Sequence, residues 1–279
     1  MKVVLLTRAI APANALIRAL DARGWLHLLL IEDFPAGKPK SMFDRLKSKV
    51  EQRLDRSEEE LQALDRRAVK LVYGDRALPL KAVPPMLELP NKMFAGAERA
   101  LEAIRPELVV TFGTSIVPKG LCATASIAAL NLHAGIAPRY RGTYCVQHAL
   151  LNGELDAIGS TIHLLRPKVD GGEIVAQARP RIDAGDDELV LAHRVHDAGH
   201  RLLISIIERL ERGIPLKPVA QPASGGRLFK MSDYTPALRA ELRKKIASGF
   251  LARASLAATS PLVSIDDAMP ALSDQPPCR

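Results

Sequence analysis

Short, almost unbroken apolar runs recur along the first half of this chain, at Val3–Thr7, Trp25–Ile31, Val69–Tyr73, Leu108–Phe112 and Ala128–His133. A strand with one wet face alternates apolar and polar residues. A run that is apolar at nearly every position suits a strand covered on both faces, as in a parallel sheet between helical layers. Helical patterns lie between the runs, the first over Pro12–Arg23 and stopped by Gly24. This alternation predicts an α/β fold with right-handed crossovers.

The connection after the second run is long. In Ser41–Leu64, Phe43, Leu46, Val50, Leu54, Leu61 and Leu64 fall at helical spacing among charged residues. The pattern predicts an amphipathic helix inserted into the sheet connection, its charged side solvated. Asp187–Arg212 is a second long helical pattern, stopped by Gly213 and Pro215; Pro218, Pro222 and Gly225-Gly226 then mark a linker. Thr235-Pro236 is a helix start, because Thr caps and Pro suits the first turn. Leu238, Leu242, Ile246 and Phe250 follow as one apolar stripe. The expected organisation is a main domain over 1–215, a linker and basic helix over 216–254, and a disordered Ala/Ser/Pro-rich tail over 255–279.

Composition excludes several classes. The chain has 279 residues, of which 47% are hydrophobic, so wholesale disorder is excluded. Aromatics are only 4%, which argues against a surface of base-stacking platforms. Three cysteines without a CxxC give neither a disulfide framework nor a thiolate zinc site, and a reducing, cytoplasmic setting is expected. The opening run is too short for a signal peptide, and no stretch is long enough to span a membrane. The net charge is +8, and residues 226–254 carry seven basic residues against two acidic ones. That surplus is expected to lie away from the chemistry. His193, His196 and His200 share one helix with Leu189, Val190, Leu203 and Ile207, so packing is expected there rather than a metal. Cys145 is expected to be a packing residue too.

The chemistry concentrates in Asn131-Leu132-His133-Ala134-Gly135-Ile136-Ala137-Pro138-Arg139-Tyr140-Arg141-Gly142. Asn131 and His133 are two apart on a strand and so share a face. Gly135, Pro138 and Gly142 impose an irregular turn. Ligand sites of open parallel sheets lie beyond the carboxyl ends of the strands. A carboxamide there can donate to a developing oxyanion, and an imidazole can hold or move a proton. A second segment, Gly159–Arg166 followed by Pro167-Lys168-Val169-Asp170-Gly171-Gly172-Glu173-Ile174, is a strand, a turn and the start of another strand. Asp170 in that turn can bond an imidazole and raise its pKa.

Together the two segments resemble the folate-dependent formyltransferase family, which includes the glycinamide ribonucleotide, methionyl-tRNA and amino-sugar formyltransferases. The matching pattern is Asn131, His133, Tyr140-Arg141-Gly142, Thr161, His163 and Val169-Asp170-Gly171-Gly172-Glu173-Ile174. The resemblance implies a doubly wound, mostly parallel sheet, Rossmann-like, with 10-formyltetrahydrofolate as formyl donor. It implies a catalytic trio of Asn131, His133 and Asp170, in which Asn131 and a charged His133 stabilise the oxyanion and Asp170 keeps the imidazole charged. It places the folate ring against Phe112, Gly113, Thr114, Ser115, Ile116 and Val117 on one side and Leu165, Arg166 and Val169 on the other. Arg139, Tyr140, Arg141, Gly142 and His163 would form the substrate side and the loop.

The pattern departs from the family at Arg166-Pro167-Lys168, which puts positive charge beside Asp170. It also lacks a Gly-rich phosphate turn after the first strand, which disfavours a phosphoribosyl acceptor. The implied acceptor is a small primary amine, such as an amino sugar, and nucleic acid is disfavoured. A formyl-folate hydrolase, a methionyl-tRNA formyltransferase-like enzyme and a non-catalytic binding protein of the same fold are the alternatives. The hydrolase is disfavoured because the chain starts at once with the first strand. The tRNA enzyme is disfavoured because the C-terminal extension is short.

Overall fold

Val3–Thr7 folds as strand β1, buried at every position. Its side chains divide by parity: Val3 and Leu5 pack with one apolar cluster, Val4 and Leu6 with another. Burial on both sides is what the unbroken apolar run required, and each such side chain contributes roughly 1.5–3 kcal/mol. The computed structural model describes residues 1–33, 58–80, 84–90, 95–222 and 226–255. After β1 come α1 (Ala11–Asp21), β2 (Leu26–Glu32), α2 (Glu58–Tyr73), β3 (Met86–Leu89), α3 (Ala95–Ile104), β4 (Leu108–Phe112), α4 (Lys119–Ala123) and β5 (Ala128–His133). Then follow β6 (Tyr140–Gly142), α5 (Cys145–Asn152), β7 (Ser160–Leu164), β8 (Ile174–Ala178), α6 (Glu188–Glu211), β9 (Arg227–Phe229), α7 (Pro236–Ala247) and α8 (Phe250–Ser255).

The main sheet has the order β3-β2-β1-β4-β5-β7-β8. The pairs from β3 to β5 are parallel, and β7 runs antiparallel between β5 and β8. Helices α1 and α6 cover one face through Leu16, Ile17, Leu20, Leu203 and Ile207. Helices α3 and α4 cover the other through Ala97, Leu101 and Leu121. The strand order reverses at β1/β4, which opens a crevice at the carboxyl ends of the central strands.

One strand expectation fails. Val69–Tyr73 is the last stretch of α2, not a strand. Ala68 and Tyr73 are buried, whereas Leu71 is 61% exposed. That is the one-sided burial of an amphipathic helix, and a short apolar stretch with two valines at a helix end imitates a strand. The third strand is Met86–Leu89, which follows Pro84-Pro85. The expected helix over Ser41–Leu64 lies outside the described residues up to 57, and residues 58–64 belong to α2. Of the expected tail over 255–279, all but the helical backbone of Ser255 lies outside the described residues. The Thr235 cap behaves as anticipated, its side chain accepting from the N–H of Leu238. Asp187 caps α6 in the same way, accepting from the N–H groups of Leu189 and Val190.

Residues beyond the linker do not leave the domain. Strand β9 pairs in parallel with β6, Tyr140↔Arg227 through Gly142↔Phe229. Val219 and Ile174 exchange backbone hydrogen bonds of 2.8 Å. The basic C-terminal segment therefore returns to the loop after β5, close to the predicted chemistry rather than away from it.

Candidate active site

Asn131 and His133 sit at the carboxyl end of β5, and the antiparallel register sets His163 directly opposite Asn131 and Thr161 opposite His133. All four side chains share one face by strand parity. The Thr161 hydroxyl donates to the Gly135 carbonyl at 2.7 Å and accepts from the N–H of Ala137. The Gln177 amide donates to the Ala137 carbonyl and to Thr161. These bonds fix the irregular turn that carries Tyr140-Arg141-Gly142 back over the site.

Asp170 closes the cluster. Its backbone is left-handed, with φ +45°. One carboxylate oxygen accepts from the Asn131 amide at 3.3 Å and lies 3.4 Å from His163 Nε2. The other accepts from the Gly142 N–H at 2.8 Å and lies 3.4 Å from His133 Nδ1. Gly142 has φ +91°, and a Cβ there would overlap the Phe229 carbonyl, so only glycine can present this N–H. Burial opposes charge on Asp170, but the charged form of His133, a proton on His163 Nε2 and the Gly142 N–H outweigh it and pull its pKa down to about 2. The carboxylate is therefore ionised at neutral pH.

Partner chemistry assigns the imidazoles. His163 Nδ1 faces the Leu164 carbonyl at 2.8 Å and must donate; Nε2 lies 3.0 Å from Asn131 Nδ2 and 3.4 Å from Asp170, accepting from the amide when the ring is neutral and donating to the carboxylate when it is charged. The Asn131 oxygen accepts from the Thr111 hydroxyl at 2.7 Å. His133 Nε2 donates to the Tyr140 carbonyl at 2.9 Å. Burial pushes the His133 pKa down more than Asp170 and the Tyr140 carbonyl raise it; His163 and Arg141 add to the lowering. The resting ring is neutral, with the Nδ1 lone pair toward Asp170. Gaining a proton would turn both ring nitrogens into donors facing acceptors, so the cluster is arranged to receive one.

The remaining anticipated residues divide into two groups. Gly113, Thr114, Ile116 and Val117 lie in the loop after β4, with Ile116 74% exposed; Leu165, Arg166 and Val169 line the turn before Asp170. The peptide N–H groups of Gly113, Thr114, Ile116, Arg166 and Val169 make no hydrogen bond among the described residues. Phe112 turns its ring the other way, into the core against His196 and His200. Tyr140 is 1% exposed and stacks on Phe229. Arg139 is tied to Glu154 at 2.6 Å and Asp156 at 2.5 Å, a loop anchor. Arg141 keeps a buried Nε without a hydrogen bond. Arg166 pairs with Glu173 at 2.9 Å, which offsets the charge beside Asp170. Cys145 is buried, and burial with Asp170 nearby pushes its thiol pKa up, as a packing cysteine requires.

Three polar residues were not anticipated. Thr111 orients Asn131 and Gln221 bonds the Asp170 turn. Glu32, 2% exposed at the end of β2, accepts from the Ser115 N–H at 2.8 Å and, in a very short bond, from its hydroxyl. Ser115 is thus bound to the scaffold. An acidic residue closing an apolar strand, as in Leu-Leu-Leu-Ile-Glu32, is a usable signal; Gln221 in a Pro/Gly-rich stretch offers none. Replacing Glu32 by Leu strips Ser115 of both bonds, and the loss is expected to be about 1–3 kcal/mol. A lowered urea midpoint would report it; an unchanged midpoint would show that the contact contributes nothing.

A doubly wound sheet with a carboxamide, an imidazole and an ionised carboxylate converging beyond its central strands defines an α/β protein with a polar cluster at the carboxyl ends of those strands. Residues 81–207 match the formyl transferase family model. A methionyl-tRNA formyltransferase from Chlorobium phaeovibrioides is 28% identical over 138 residues, 50% of this chain and 43% of that protein. The chain thus spans less than half the length of that curated relative. A sugar N-formyltransferase from Shewanella shares the fold with a TM-score of 0.52 at 17% identity, covering 84% of this chain and 78% of that one. So does the N-formyltransferase from Helicobacter canadensis, solved with folinic acid and dTDP-3-aminofucose, with a TM-score of 0.51 at 14% identity over 84% and 72% of the two chains. No described helix is long and apolar enough to cross a membrane.

Proposed function

We propose that this chain transfers the formyl group of 10-formyltetrahydrofolate to the primary amine of a small metabolite such as an amino sugar. The convergence of Asn131, His133 and an ionised Asp170 at one point is the observation that carries the reading. The donor fits the chain's own groups: a pterin needs edge hydrogen bonds, and the unpaired peptide N–H groups of the two loops supply donors beside the trio. Bound there, 10-formyltetrahydrofolate supplies the formyl carbon that the amine nitrogen attacks.

Asn131 donates an N–H to the oxygen of that carbon as charge develops; the N–H now held by Asp170 at 3.3 Å is the looser of its two and the one free to turn. Neutral His133 receives the proton lost by the amine, and Asp170 stabilises the imidazolium so formed. The carbon–nitrogen bond to the amine forms as the bond to the folate nitrogen breaks, and that nitrogen regains a proton. This reading differs from a permanently charged His133, because burial keeps the resting ring neutral.

Incubation with 10-formyltetrahydrofolate and a panel of amino sugars tests it. Tetrahydrofolate is expected in step with a formylated amine. Formate released without an amine product would assign a hydrolase instead. A second reading rests on the relatives that act on methionyl-tRNA and on Arg239, Arg243, Lys244 and Lys245 of α7. It requires salt-sensitive binding of initiator tRNA.

A further inference from the structure

We infer that Gln221 is a positioning residue for Asp170, and that the segment around it holds both sides of the site from the C-terminal part of the chain. The Gln221 side-chain nitrogen donates to the Asp170 carbonyl at 2.9 Å and to the Gly172 carbonyl at 2.6 Å. One amide thus spans the turn that begins at the left-handed Asp170, and both of its hydrogens are used. The reach is 51 residues along the chain. The Val219–Ile174 bridge, two residues earlier, fixes where that amide stands.

The same segment grips the opposite side a few residues later. Arg227 donates its N–H to the Arg139 carbonyl at 2.8 Å, and Thr143 donates to the Phe229 carbonyl at 3.0 Å. Gly226 passes so close to the Pro138 carbonyl that a Cβ would overlap it. Those contacts hold the strand that gives the Gly142 N–H to Asp170 and the Tyr140 carbonyl to His133. One segment therefore sets the Asp170 backbone from one side and the partners of its carboxylate and of His133 from the other.

The inference rests on the roles proposed for Asp170 and His133, and its test has a readout that needs no turnover. Gln221→Met keeps the volume and removes both donors. In this variant kcat is expected to fall roughly 10–100-fold, as a displaced catalytic group implies, with KM for the folate donor within about twofold. In parallel, NMR titration of the His133 ring, assigned with His133→Gln, follows the group that Asp170 faces. His163 and Arg141 also bear on this ring, and both lower it, whereas Asp170 raises it. A loosened Asp170 turn is expected to shift the His133 titration to lower pH. An unchanged titration overturns the inference, even if the variant melts earlier or loses activity. Should Gln221→Met fail to fold, Gln221→Leu, uncharged and without N–H donors, carries the same comparison. Absence of formyl transfer by the unmodified protein would refute the functional reading alone, and the His133 titration would still decide the role of Gln221.

Discussion

Asp170→Asn is expected to lower kcat for formyl transfer roughly 10³-fold while the protein remains folded. The substitution keeps shape and removes charge. An Asn oxygen can still accept from the Gly142 N–H, 2.8 Å away from the present carboxylate. Its amide would then face the Asn131 amide, donor against donor, where a carboxylate oxygen now accepts at 3.3 Å. His133 loses the negative partner that stabilises its protonated form. Because the Asp170 pKa is held at about 2 against about 3.9 in an unfolded chain, the carboxylate contributes about 2–3 kcal/mol to stability at neutral pH. That contribution is present above the unfolded pKa and lost as pH falls toward 2. The variant should therefore melt lower but fold. The pH profile separates this role from general damage. Burial already puts the His133 pKa below its ordinary value, so the acid limb of the wild-type rate lies under the usual imidazole range. Removing Asp170 takes away the largest raising influence, so the residual activity should show its acid limb at still lower pH. A variant with near wild-type kcat, or a limb that moves upward, would sink the assignment.

Much of this site was legible because its residues lie at strand ends, where parity and turn chemistry are written locally. Asn131 and His133 are two apart on an apolar strand, and Asp170 sits in a Gly-flanked turn; both placements need only neighbouring residues. The same locality explains the failure at Val69–Tyr73, where a mostly apolar stretch with two valines at the end of α2 has the composition of a strand and only its one-sided burial shows otherwise. What could not be read is carried by distant pairs. Glu32 reaches Ser115 across 83 residues, and Thr111 reaches Asn131 across 20. Neither distance leaves a periodic trace. The Pro/Gly-rich stretch after Pro215 looked like a linker because it lacks periodicity, yet it pairs with β6 and closes the site. Its partner is a three-residue strand, too short to carry an alternation signal.

The histidines of α6 supply the other large expected effect, on stability rather than rate. His200 is 4% exposed, packed against Phe112 with centroids 4.9 Å apart and against Tyr73, and neither ring nitrogen has a hydrogen-bond partner among the described residues. Burial, with the Arg76 charge adding to it, pushes its pKa down to about 3. The folded protein therefore holds this ring neutral, whereas the unfolded chain protonates it near pH 6.5. A depressed folded pKa means that the unfolded state binds the extra proton between those values. The contribution of His200 is complete above pH 6.5 and is lost as pH falls toward 3. Between pH 6.5 and 4.5 the loss is about 2–3 kcal/mol from this one residue, at about 1.4 kcal/mol per unit. His200→Leu removes the titrating group and keeps an apolar side chain beside Phe112. Urea unfolding at the two pH values should show the variant losing about 2–3 kcal/mol less than the wild type, with every other titrating group common to both proteins. Equal losses in the two proteins would mean that the imidazole is hydrated or ion-paired in solution, and the neutral, buried state would have to be abandoned. The effect also bears on the site. Phe112 rests on His200 on one side and leads into the loop of Gly113 to Val117 on the other, so acid that charges this imidazole would act on the support of that loop before it reaches Asp170.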